Sequence, residues 1–175
     1  MTVDRARAGD PEAQGRLFDH YWPKIVRYCY AHCGNLQDAE DLASEVFERM
    51  VTAIGRFQWR DGVPFTAWLF RIARNQVISH YRRKGATVPL SDDGYDEPAA
   101  ADDPQHTAEL HLALDEVYRA AEKLPKSQQE VIRLRFGADL SLADTAKILE
   151  KKENNIKQLQ HKAIARMRQL LESEN

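Results

Sequence analysis

The chain has 175 residues, with 25 Lys/Arg against 27 Asp/Glu and a formal net charge of −2. That length holds one or two small domains, and an apolar content of 43% is ordinary for a globular chain. Two cysteines exclude a disulfide framework, and no apolar stretch approaches the length of a membrane span.

The opening MTVDRARAGD offers no apolar run for a signal peptide, so a cytoplasmic location is expected. Asp10-Pro11-Glu12 reads as a helix start, with an N-cap, proline at the first helical position and acid in the first turn. Leu17, Phe18, Tyr21, Ile25, Tyr28 and Cys29 follow at helical spacing. Pro23 predicts a kink or a break between two helices, and Gly34-Asn35 ends the segment. Cys29, His32 and Cys33, with His20 as a further candidate, form a partial ligand set. Their spacing matches no common zinc pattern, so no metal or cofactor is expected and core packing of the cysteines is favoured over a redox role.

A second helix is predicted from Asp38, with Leu42, Val46, Phe47, Met50 and Ile54 as its apolar stripe. Asp38, Glu40, Asp41, Glu45 and Glu48 crowd its first half; such a charge run is either a solvated face or a docking surface. Gly55 and the polar run 58–62 mark a loop. A third helix is predicted from Pro64-Phe65 to about Arg83. Phe65, Trp68, Leu69 and Ile72 lie on one side of it, and Arg71, Arg74, Asn75, Ile78 and Arg82 on another. The whole stretch 57–83, FQWRDGVPFTAWLFRIARNQVISHYRR, interleaves aromatic rings with arginines. Rings stack on unpaired bases and arginines hold phosphates, so the stretch reads either as a single-strand binder or as a core helix with a solvated basic face.

Residues 87–116 carry nine carboxylates and no Lys or Arg, a net charge of −9. On either side, residues 1–86 hold 13 basic and 10 acidic side chains, and residues 117–175 hold 12 and 8. Two mildly basic blocks thus flank an acidic one that is too poor in apolar surface to fold alone. Beyond it, Leu110, Leu114, Val117, Tyr118, Ala121 and Leu124 form an amphipathic stripe. A helix from Pro125 carries Val131, Ile132, Leu134 and Phe136 and breaks at Gly137. Ser141 with Asp144 opens a short helix, a polar turn at 150–152 follows, and a last helix buries Ile156, Leu159, Ala163, Met167 and Leu170. Short helix, tight turn and longer polar helix make a helix-turn-helix. Its second helix presents Asn154, Asn155, Lys157, Gln158, His161 and Lys162, residue types that read base edges and hold phosphates. Such turns often contain glycine; here Glu150 stands at that place, so the turn must form without glycine's freedom. No phosphate loop, nucleophile elbow or His-Glu zinc motif is present, and no catalytic residue is assigned.

Three passages in succession resemble the small extracytoplasmic-function (ECF) sigma factors of bacterial RNA polymerase, members of the sigma-70 family. They are GDPEAQGRLFDHYWPKIVRY with DAEDLASEVFERM, then FTAWLFRIARNQVISHYRR, then LPKSQQEVIRLRFGADLSLADTAKILEKKENNIKQLQHKAIARMRQLL. The resemblance implies an all-α chain of two small helical domains, with sigma domain 2 at 1–86, a flexible acidic linker at 87–108 and sigma domain 4 at 109–175. It implies a promoter-specificity subunit, not an enzyme, that reads −35 duplex and melted −10 DNA together with core polymerase. Asp38, Glu40, Asp41, Glu45 and Phe47 would then dock on the β′ clamp helices. The loop before the third helix, with Phe57, Trp59 and Arg60, would capture a −10 base; Arg71, Arg74 and Asn75 would contact the strand, and Arg82 and Arg83 would hold phosphates. The helix-turn-helix would read the −35 element and engage the β flap. An anti-sigma partner is common in the family. In place of the short Ser/Thr-Gly-Thr run of many members, the last helix here is preceded by Lys151-Lys152-Glu153-Asn154-Asn155, so the −35 sequence does not carry over. The competing reading is a stand-alone helix-turn-helix regulator, for which the first 86 residues have no evident use.

Overall fold

Asp10 opens the longest helix among the described residues in the way its sequence predicts. The Asp10 carboxylate accepts hydrogen bonds from the backbone N–H groups of Glu12 (3.0 Å) and Ala13 (3.3 Å), and Pro11 takes the first helical position. The computed structural model describes residues 1–59, 62–85 and 117–173. The chain divides into two units, Met1–Pro89 and Leu90–Asn175, and every regular element described is a helix.

The first unit comprises α1 (Thr2–Arg7), α2 (Pro11–Cys33), α3 (Leu36–Ala53), a 3-10 turn (Ile54–Arg56) and α4 (Phe65–Arg83). Two expectations need correction here. Pro23 does not break α2, which runs through it to Gly34, a left-handed C-cap with φ 73°. An interior proline costs a helix about 3 kcal/mol. Its ring lies on the exposed face, while burial of Leu17, Ile25, Tyr28 and Cys29 against the neighbouring helices keeps α2 continuous across it. Second, α3 begins at Leu36, ahead of Asp38. Asn35 is the cap: its side-chain oxygen accepts the Asp38 N–H (2.8 Å) and its amide nitrogen donates to the Asp38 carboxylate (3.0 Å). The α3 stripe Leu42, Val46, Phe47, Met50 and Ile54 is buried as expected.

Helix α4 has the predicted span, but its core face is wider and rotated. Phe65 and Leu69 are buried; Trp68 and Ile72 are half-buried; Phe70, Ala73, Gln76 and Val77 complete the inner surface. Contacts from both α2 and α3 explain the width, because a helix packed on two sides buries more than one stripe.

In the second unit, α5 is the helical run 117–122, followed by α6 (Lys126–Ile132), a π-helical turn (Arg133–Gly137), α7 (Leu142–Leu149) and α8 (Glu153–Ser173). Gln129 is buried and donates to the carbonyls of Glu122 (2.8 Å) and Leu124 (2.9 Å), tying α5 to α6. From the π turn, Arg135 donates to Gln160 Oε1 on α8 (2.8 Å) and to the Leu140 carbonyl, which fixes the chain reversal. Phe136, expected on the apolar side, is 56% exposed because the π turn shifts the register of the helix after Ile132. One small core gathers Ala121, Leu124, Ile132 and Ala163 with Met167; a second gathers Val131, Ala146 and Ile156 with Leu142, Leu149 and Leu159. Leu110, Leu114 and the acidic segment 87–108 lie outside the described residues.

Candidate nucleic-acid interface

The helix-turn-helix forms locally before it can present anything. Ser141 Oγ accepts the Asp144 N–H (3.0 Å) and the Thr145 hydroxyl donates to the Ser141 carbonyl (2.8 Å), closing the start of α7. Glu150 then adopts φ 54° and ψ 39°, the left-handed conformation in which glycine is the usual residue. The Lys151 N–H returns to the Ala146 carbonyl (3.0 Å), completing the turn. On α8, Ile156 and Ala163 are fully buried and Leu159, Met167 and Leu170 half-buried, as the stripe requires. Asn154, Asn155, Lys157, Gln158, His161 and Lys162 all project from the other side and are exposed. The structure therefore brings six amide, imidazole and ammonium groups onto the outer face of the first turns of one helix.

In the first unit, the loop after the 3-10 turn and the polar side of α4 form a second surface. Phe57 is corrected here: it is only 4% exposed, with ring centroids 5.1 Å from Trp59, 5.6 Å from Phe65 and 5.1 Å from Trp68. Phe57 supports the loop from beneath and offers no free face to a base. Trp59, resting on it, is 51% exposed. Arg60 lies outside the described residues. Along α4, Arg71 and Arg74 are half-buried, with the Arg71 Nε fully covered, and Asn75, Arg82 and Arg83 are exposed.

The acidic residues of α3 split into two groups. Glu40 and Asp41 are exposed. Asp38 and Glu45 turn toward α4: Lys84 Nζ lies 2.8 Å from Asp38, Arg83 lies 3.2 Å from Glu45, and Gln76 Nε2 donates to Glu45 (3.0 Å). The Lys84 ammonium, with Asn35 behind it, holds the Asp38 carboxyl below the usual carboxylate range. His80, 3.8 Å from Asp38, is pushed below the ordinary imidazole value by burial first and by Lys84 second. Phe47 is corrected as well. It is 5% exposed and packs against Phe18 (4.8 Å) and Trp22 (5.8 Å), so it buttresses the α3 face instead of standing on it. Sequence reasoning missed these cross-helix pairs, whose partners lie 31 to 46 residues apart and leave no periodic signal.

Burial raises the Cys29 thiol to about 12 and also raises Cys33, whose Sγ donates to the Asn35 carbonyl (3.4 Å). Among the described residues no group of three or more His, Cys, Asp or Glu is placed to hold a metal ion, and no helix is long and apolar enough to cross a membrane. In the second unit, Val117, Ile132, Phe136, Ile164, Met167 and Leu171 line an open apolar groove of about 420 Å³.

Residues 17–87 match Sigma-70 region 2 and residues 120–169 match Sigma-70, region 4. With both regions in one chain, these two units, helical throughout the regular structure described, define a sigma-70 factor. Curated relatives narrow the class. The ECF RNA polymerase sigma factor BldN of Streptomyces coelicolor is 36% identical over 97% of this chain, which spans 64% of that protein's length. ShbA of Streptomyces griseus, also an ECF sigma factor, is 31% identical over 97% of this chain and 93% of its own. SigW of Bacillus subtilis is 29% identical over 97% and 94%. The chain belongs to the ECF group of the sigma-70 family and is a promoter-specificity subunit of RNA polymerase. That family consists of non-catalytic regulatory subunits. Among solved structures, CnrH in complex with the cytosolic domain of CnrY shares the fold, with a TM-score of 0.75 and 21% identity over 99% of this chain and 97% of that one. RpoE in complex with the anti-sigma factor NepR from Bartonella quintana gives 0.67 and 25% over 92% and 98%.

Proposed function

We propose that the two surfaces divide the promoter between them. The outer face of α8, with Asn154, Asn155, Lys157, Gln158, His161 and Lys162, enters the major groove of the −35 element. Trp59 stacks on an unpaired base of the −10 strand, and Arg60, next in sequence, is assigned to the same strand; Arg71, Arg74 and Asn75 follow the strand, and Arg82 and Arg83 hold its phosphates. Glu40 and Asp41, with Asp38 and Glu45 at the edge, meet the β′ clamp helices, and the apolar groove between Val117 and Leu171 receives the β flap. The Glu45–Arg83 pair is exposed on both sides, and such pairs are worth under about 1 kcal/mol. Both residues therefore exchange partners readily when polymerase and DNA arrive.

The observation that carries the reading is Trp59: a half-exposed aromatic ring held on a buried aromatic base, next to a helix whose polar side carries arginines. Melting is driven by binding energy to the open strand, with no reaction catalysed by this chain and no cofactor. The protein works in the cytoplasm, and an anti-sigma factor is its natural inhibitor. With core polymerase and a genomic template, run-off transcription with start-site mapping is expected to yield start sites that share one −35 and one −10 element. Replacing Asn154, Asn155 and Gln158 by Ala weakens −35 discrimination, whereas Trp59→Ala slows opening. Failure of the purified chain to associate with core polymerase would overturn the reading and favour a stand-alone regulator.

A further inference from the structure

Helix α1 has no counterpart in the sequence expectations and lies ahead of the region 2 match, which begins at residue 17. It is nevertheless tightly placed. Ala6 is fully buried, Gln14 Nε2 donates to the Ala6 carbonyl (3.2 Å), and Arg5 forms an ion pair with Asp10 at the head of α2 (2.6 Å). The same helix packs on the 3-10 turn Ile54–Arg56, from which the DNA-facing loop departs. From this platform Asp4 reaches across 55 residues of sequence: Trp59 Nε1 donates to Asp4 Oδ1 at 3.1 Å.

We propose that Asp4 is a positioning residue for the −10 strand, holding the half-exposed Trp59 ring in the orientation in which it stacks on an unpaired base. The inference rests on the reading of Trp59 given above. Two constraints act on the ring. Its nitrogen is fixed by Asp4, and its body meets Phe57 in an edge-to-face contact (5.1 Å, 73°). A ring pinned at two points loses its rotamer freedom before the base arrives, so less of the stacking energy is spent on ordering it. The Trp59 hydrogen bond is also the main reason that the Asp4 carboxyl lies below its ordinary range, so at neutral pH the acceptor is ionised and ready. Arg7 NH1, 3.4 Å from the same oxygen, steadies it from within α1.

The test uses the full chain assembled with core polymerase. Holoenzyme binding is measured to a fluorescent single strand bearing the −10 element from start-site mapping, and to a scrambled strand of equal length. Asp4→Ala is expected to weaken −10 strand binding about fivefold, the size of one hydrogen bond's contribution. Trp59→Phe, which keeps a ring and loses the N–H, loses a similar factor. The double variant is no worse than Trp59→Phe alone, and Asp4→Asn, which keeps an acceptor, recovers most of the binding. Equal losses from Asp4→Ala in the wild-type and Trp59→Phe backgrounds would assign Asp4 to the stability of α1 and overturn the proposal. No loss from Asp4→Ala where Trp59→Ala does lose binding would overturn it too, with the reading of Trp59 intact. Should Trp59→Ala leave strand binding unchanged, the reading of the loop itself falls and the proposal with it.

Discussion

Glu150→Gly is expected to stabilise the second unit, and the expected size follows from the turn itself. At φ 54° and ψ 39° an L-residue brings its Cβ close to the backbone, at a cost of roughly 1–2 kcal/mol. Glycine carries no such strain, but it adds freedom to the unfolded chain worth about 0.4–1 kcal/mol. Glu150 is exposed, so loss of its side chain removes at most about 0.5 kcal/mol of surface interaction. The balance is a gain of about 0.5 kcal/mol. For a unit of this size that raises the midpoint of thermal unfolding by roughly 2–4 °C. Differential scanning calorimetry of the full chain measures it, with Glu150→Ala as the control. Alanine retains the Cβ and its strain, so its midpoint stays level with the wild type or falls slightly. If glycine and alanine shift the midpoint equally, or glycine lowers it, the strain argument at residue 150 is refuted.

Three further outcomes are expected. The Asp38 carboxyl is depressed by Lys84, so its contribution to stability is complete above the ordinary aspartate pKa and is lost as pH falls from there through the lower folded value. Asp38→Asn should flatten acid unfolding below the ordinary aspartate pKa of about 4, and superimposable curves would exclude Asp38 as a source of that slope. Gln129→Leu keeps the volume but removes the donor to the Glu122 and Leu124 carbonyls; a loss of about 2 kcal/mol is expected in urea titration, and a neutral result would show that other donors reach both groups. Because burial raises Cys29 to about 12 and lifts Cys33 as well, iodoacetamide at pH 8 should label the folded chain far more slowly than the unfolded one. Prompt labelling of Cys29 would mean that α2 opens locally in the native state.

The acids of α3 and the bases at the end of α4 were read from sequence as two independent surfaces. In the fold they neutralise each other at Asp38–Lys84 and Glu45–Arg83. On the proposed assignment of these residues, polymerase docking and phosphate holding would be chemically linked in the first unit. Any partner that draws Glu45 away releases Arg83, and a strand that takes Arg83 frees Glu45.

What the amino-acid order settles by itself is what depends on neighbours three or four residues apart. The spans of α4 and α7, the Ser141–Asp144 cap, the inward row Ile156, Leu159 and Ala163 and the exposed row Asn154, Asn155, Lys157, Gln158, His161 and Lys162 all follow from helical periodicity and local hydrogen bonding. Tertiary structure decides the rest. The six-residue α1 buries only Ala6 and so carries no stripe to detect. Pro23 reads locally as a break, yet packing on both sides carries α2 through it. Phe57 and Trp59 are both aromatic and two residues apart, but one becomes the floor of the loop and the other its exposed ring. Nothing in composition separates them, because a ring that stacks on a base and a ring that packs edge-to-face against Phe65 are chemically alike. Only the crossing of helices determines which ring is covered, and the same crossing brings Asp4 to Trp59 and Lys84 to Asp38.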